Sequence, residues 1–167
     1  MTGRGAEADR LAGEYQVKAA YLFNFAKFVE WPAEAFASPD APVVIGIYGP
    51  DPFGAALESL VRDKKLAGRP LAIRRSSAMG DLRASHLVFV NAPSADTLPA
   101  LLAQLAGASV LTVGEHERFI ESGGVVRFEL NDGRVGFTID VGAASRSRLT
   151  ISSQLLRLAR ATGRAPR

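Results

Sequence analysis

A chain of 167 residues, 47% hydrophobic and 22% charged, has the length and composition of one folded domain burying roughly 70% of its unfolded surface, which excludes a wholly disordered chain. The formal charge of +3 comes from interspersed acids and bases with no dense basic patch, which argues against nucleic acid as a partner. There is no cysteine, so disulfides, thiolate catalysis and cysteine-bound metals are excluded, and no apolar run reaches the ~20 residues of a membrane span.

Met1–Arg10 has no hydrophobic stretch of the kind an intact signal peptide needs. Residues 1–13 are therefore expected to be a disordered N-terminal segment or a cloning remnant, and residues 163–167 a tail. The folded domain is expected over 14–162. Residues 14–31 predict a helix stopped by Pro32, followed by a Pro/Ala/Ser-rich connection to Pro42. Val43–Tyr48 is a short continuous apolar run and predicts a buried strand. Asp51 and Pro52 suit the cap and first position of a helix running to about Lys65. Gly68–Pro70 turns the chain into a second strand, Leu71–Arg75. Leu87–Val90 predicts a third strand, Ser94–Leu105 a helix, Val110–Val113 a fourth strand and Glu115–Glu121 a short helix. Val125–Leu130 and Val135–Val141 predict a hairpin around Asp132-Gly133, and a helix apolar at Leu155, Leu156, Leu158 and Ala159 closes the chain. Strands alternating with helices and ending in a hairpin predict a three-layer α/β fold. Its sheet is mostly parallel, with helices on both faces and a terminal antiparallel hairpin.

Catalytic machinery is not legible. Gly49–Gly54 precedes a helix, but it lacks phosphate-loop glycine spacing and its two prolines remove backbone donors. His86 and His116 have no ligands at metal-binding spacing, and the carboxylates of Glu115 and Glu117 do not share a helix face with His116. Ser152-Ser153 lies in no nucleophile elbow and suits helix capping. Arg146 and Arg148 beside it could receive a carboxylate or phosphate, so Arg146, Arg148, Ser152 and Ser153 form one candidate ligand set. No cofactor and no metal site is expected.

Three blocks carry a resemblance. They are Tyr15-Gln-Val-Lys-Ala-Ala-Tyr-Leu-Phe-Asn-Phe-Ala-Lys-Phe-Val-Glu-Trp-Pro32; Val110–Gly114 with Phe119 and Gly123-Gly124; and Asp140 with Ala143-Ala144 followed by Leu149–Ala159. In this order they resemble the YfiR-like family over about residues 14–162. The resemblance implies an exported, periplasmic, non-enzymatic regulator of Gram-negative bacteria. Such a regulator binds the periplasmic part of an inner-membrane diguanylate cyclase and represses it, lowering cyclic-di-GMP and biofilm formation. It further implies a homodimer and sequestration by an outer-membrane lipoprotein. Two features depart from the pattern. A cysteine-based redox switch is ruled out, and Arg148 occupies the family's glycine before the closing block, where a changed turn is expected.

The first helix holds five aromatic residues between Tyr21 and Trp31. At about 100° per residue, Tyr21, Leu22, Phe25, Phe28 and Val29 form a core stripe, while Gln16, Lys27 and Glu30 mark a polar arc. Phe23 falls within the polar arc, where an exposed ring could cover a loop or serve a partner. Phe23, Lys27 and Trp31 are the candidate partner-binding residues, the rings forming an aromatic anchor pair. Asn24, on the flank of the apolar arc, is expected to tie the helix to a loop backbone or to touch a ligand. The alternative to a regulator is a small-ligand sensor of nucleotides or amino acids, or an enzyme. Its site would lie at the carboxyl ends of the strands near Gly49–Gly54, Asn91–Ser94 and Gly114.

Overall fold

The computed structural model describes residues 3–161. The helices are α1 (Gly3–Phe28), α2 (Ala55–Asp63), α3 (Leu98–Ala103), α4 (Val141–Arg146) and α5 (Ser153–Ala161). The strands are β1 (Val29–Glu30), β2 (Val43–Tyr48), β3 (Lys65–Leu66), β4 (Arg69–Ser76), β5 (Leu87–Val90), β6 (Leu111–Gly114), β7 (Val126–Asn131), β8 (Arg134–Ile139) and β9 (Thr150–Ile151). Seven of them form one sheet in the order β3-β4-β2-β5-β6-β7-β8. β4, β2, β5, β6 and β7 run parallel; β3 and β8 are antiparallel additions at the two edges. The mostly parallel sheet with its terminal hairpin is the one the sequence predicts.

β5 and β6 are buried at every residue, as strands covered on both faces require. On one face Leu22 and Phe25 of α1, Leu57 of α2, Ala143 and Ala144 of α4, and Leu155 and Ala159 of α5 pack on Ile45, Ile47, Phe89, Phe128 and Phe137. The ring of Phe25 lies 4.9 Å from Phe137 and 5.7 Å from Phe128, in tilted and edge-on arrangements that add about 0.5–1.5 kcal/mol per pair beyond area burial. On the other face, α3 and a 3-10 turn at Met79–Leu82 cover Val88, Val90 and Phe119.

Several boundaries differ from expectation. α1 begins at Gly3, upstream of residue 14, with residues 5–12 exposed. It ends at Phe28 rather than Trp31. Pro32 drives the residue before it out of helical geometry, and Val29–Glu30 instead pairs antiparallel with Thr150–Ile151 as a separate ribbon. Residues 115–121 form turns and no helix. There Phe119 slides between Gly114 and Gly124, where an added Cβ would fall 2.4 Å and 2.1 Å from the ring. The second hairpin strand stops at Ile139, because Asp140 caps α4 by accepting a hydrogen bond from the Ala143 N–H at 3.1 Å.

A changed turn is expected at Arg148, and the turn there is a left-handed one. Arg148 holds φ +60°. Its N–H donates to Ser145 O and the Leu149 N–H donates to Ala144 O, both at 2.9 Å, which is the double bond of a Schellman helix stop.

Candidate functional site: an aromatic groove with a cationic rim

The end of α1, β1 and the β3–β4 hairpin enclose a groove of about 480 Å³. Phe23, Lys27 and Trp31 all line it, together with Glu30, Phe36, Lys65, Leu66, Ala67 and Arg69. Helical spacing explains why Phe23 and Lys27 share a face. Trp31 joins them from just beyond β1, after the helix has ended. Ala26, Val29, Val43 and Leu66 are buried beneath, and Phe23, Trp31 and Phe36 are half-buried. Phe23 is therefore less exposed than its place in the polar arc suggests. It packs against the core, and Lys64 Nζ stands 5.6 Å from its ring centroid.

The aromatic wall is braced from behind. Trp31 Nε1–H donates to His86 O at 2.9 Å, and the Phe36 ring stacks on the His86 imidazole at 4.3 Å and 17°. The Arg69 guanidinium lies 3.8 Å from the Phe36 centroid and donates to Ser38 O and Ala41 O, both at 2.9 Å. His86 is itself buried. The Val44 N–H donates to its Nδ1 at 3.0 Å, so the ring proton sits on Nε2 and is donated to Ala35 O at 2.9 Å. Burial pushes its pKa below the usual histidine value, and the Arg69 charge adds to that, against an opposing effect of the Ala35 hydrogen bond.

The rim is basic. Lys27 and Lys65 are exposed and have no carboxylate partner among the described residues. Arg69 is spent on carbonyls. One acid, Glu30, lines the groove. A surface of this kind offers flat apolar contact at its centre and positive charge around it.

The other candidate residues are placed differently. Asn24 is half-buried and its amide makes no hydrogen bond among the described residues, so the expected tie to a loop is not made. Arg146 lines a hollow of about 370 Å³ with Leu102, Leu105 and Ser147. Arg148 lines a second hollow with Glu34 and His86, and donates to Glu34 at 3.4 Å. Ser152 Oγ accepts from the Leu155 N–H at 3.2 Å as the cap of α5, and Ser153 is exposed. The structure does not gather these four into one site.

At the carboxyl ends of the strands, where a doubly wound sheet would take a ligand, side chains and backbone come into close contact. Between β2 and β5, Asn91 Nδ2–H donates to Pro50 O at 2.8 Å, and an added Cβ on Gly49 would lie 2.4 Å from Asn91 O. Beyond β6, Glu115 accepts from Tyr15 Oη at 2.9 Å and from Lys18, which also reaches Glu14 at 2.6 Å. Lys18 is only 3% exposed. Burial, and then the Glu115 charge, raise the Tyr15 pKa well above its usual value, so the phenol stays a donor. Sequence reasoning missed this cluster. Its legible trace is the Glu14–Lys18 spacing of four. Among the described residues no three His, Asp or Glu side chains gather as metal ligands, and no helix is long and apolar enough to cross a membrane.

Comparison with known proteins places this geometry in context. No curated protein matches the chain. A solved structure of a conserved domain protein from Vibrio cholerae O1 biovar El Tor is 14% identical, with a TM-score of 0.48 over 70% of this chain and 53% of that one. This chain thus spans about half the length of that structure. The pattern of the YfiR/HmsC-like family matches residues 15–160, from the aromatic part of α1 to the end of α5. The chain belongs to the YfiR/HmsC-like family of periplasmic regulatory domains.

Proposed function

We propose that this domain is exported to the periplasm and regulates an inner-membrane signalling protein, a diguanylate cyclase, by binding the cyclase's periplasmic region through the groove around Phe23, Lys27 and Trp31. The observation that carries the site is the convergence of these three residues with Phe36 beneath a rim whose Lys27 and Lys65 have no carboxylate partner among the described residues. Half-buried rings in a pocket, ringed by polar groups, are what interface anchors look like. Repression follows from differential affinity. A regulator that binds the inactive arrangement of the sensory region more tightly shifts the population toward it, lowering cyclic-di-GMP and biofilm formation. An outer-membrane lipoprotein competing for the regulator would release the cyclase, and the regulator would act as a homodimer.

The test is binding of the purified domain to the periplasmic region of the membrane cyclase encoded nearest its gene, beside Phe23→Asp. Circular dichroism confirms that the variant folds. Wild-type binding weakened at least about tenfold in the folded variant is the expected result, since anchor residues typically contribute more than 1 kcal/mol. Equal binding of both proteins would discard the groove and keep the function. No binding of the wild type would overturn the function.

A further inference from the structure

The outer edge of β4 is open. β3 pairs with it only at Arg69 and Pro70, which leaves Leu71–Ser76 without a neighbour on that side among the described residues. The Gly49 N–H donates to Ser76 O at 3.1 Å, so Ser76 faces β2. Alternation then turns Ala72 and Arg74 toward β2 and directs the N–H and C=O of Leu71, Ile73 and Arg75 outward. Beside this edge, between β4 and α2, lies a hollow of about 500 Å³ lined by Val61, Pro70, Leu71 and Ile73. An unpaired ladder next to a hollow with an apolar floor and charged walls has the geometry of strand addition.

Charge selects the occupant. β4 carries Arg69, Arg74 and Arg75 and no acid, and Arg62, Lys64 and Lys65 flank the hollow against the single further acid Asp63. Asp51 and Glu58 are already paired with Arg75, at 2.8 Å and 3.0 Å. Two copies of this chain would set one basic edge against another, which like-charge repulsion opposes. We infer that the outer edge of β4 accepts an acidic, extended segment of a partner protein as an added strand, its apolar side chains seated over Leu71 and Ile73. The inference deepens the reading above and rests on it for the partner, because Lys65 lines both this hollow and the aromatic groove.

The experiment measures amide exchange of the domain alone and with the cyclase's periplasmic region, together with affinities of Ile73→Pro and Arg62→Glu. Proline at 73 deletes one outward donor and none of the bonds to β2, a place where edge strands accept proline. Arg62→Glu, on the exposed face of α2, serves if the proline variant misfolds. Slowed exchange at Leu71, Ile73 and Arg75, with affinity falling at least about tenfold in a folded variant, is the expected result. If the cyclase region binds while those amides exchange at the free rate and both variants bind as wild type, the edge proposal fails and the regulator reading stands. If the cyclase region does not bind, that reading fails, and decapeptides alternating valine with glutamate or with lysine decide the edge. Protection by the glutamate peptide alone supports it, and protection by neither overturns it. Amides protected in the free protein, in a dimer that Ile73→Pro renders monomeric, would make the edge a self-interface and overturn the proposal.

Discussion

Arg148 sits at φ +60°, the position after a helix that ordinarily belongs to glycine, and its backbone completes both hydrogen bonds of the stop. A non-glycine residue in the left-handed region costs roughly 1–2 kcal/mol, while glycine costs roughly 0.5–1 kcal/mol more entropy on folding. The Glu34 contact is exposed on both sides and contributes little. Arg148→Gly should therefore raise stability by about 0.5–1 kcal/mol, seen as a higher melting temperature. An unchanged or lower value would mean that Arg148 makes a contact worth more than its backbone strain. The sequence pattern marked this residue as unusual but suggested a different turn. What it could not convey is that two main-chain bonds, independent of side-chain identity, hold the turn shut.

The elements most visible in the sequence were those with their own periodicity: the core stripe of α1, the apolar runs of β2, β5 and β6, and the Asp132-Gly133 hairpin. Two-residue strands such as β1, β3 and β9 have no periodicity to detect, since each exists only because a distant segment offers a ladder. The groove was half legible for the same reason. Phe23, Lys27 and Trp31 lie in one stretch of sequence, whereas Phe36, Lys65 and Arg69 arrive from segments that only the folded sheet brings near. His86 is the pin for one of those segments, holding Ala35 O and the Val44 N–H at once.

That pin has a pH consequence. The folded pKa of His86 lies below its unfolded value of about 6.5, so between the two the unfolded chain binds more protons. The stability contributed by neutral His86 is whole above pH ~6.5 and falls as pH drops through that value toward the folded pKa. Protonation would also set an N–H of Nδ1 against the N–H of Val44. Arg69 beside Phe36 disfavours the cation further, while Glu34, near in the same hollow, is exposed and screened. Melting temperatures at pH 7.5 and 5.5 should differ in the wild type, and the difference should shrink in His86→Gln, whose amide can still accept from Val44 and donate to Ala35. A difference unchanged by the substitution would assign the acid sensitivity elsewhere.

At the scale of the whole molecule, α1 organises both ends of the fold. Its middle meets the strand ends through Tyr15 and Lys18, and its last two turns line the groove with Phe23 and Lys27. The basic residues number 20 and the acidic 17, a small excess. Part of it lies along the β4 edge and along the groove rim, where Lys27 and Lys65 have no carboxylate partner among the described residues. Binding of an acidic partner should weaken as salt rises from about 0.05 to 0.3 M, mainly through a slower association rate. A salt-independent rate would mean that the cationic rim does not meet charge on the partner.

The slot around Phe119 also constrains how this chain can change over generations. A methyl group at position 114 or 124 would land on the ring, so neither glycine can be exchanged while the phenyl remains. Mutational drift there must go in a fixed order, in which the ring shrinks before either neighbour grows. Three positions separated along the chain are thereby tied into one heritable unit.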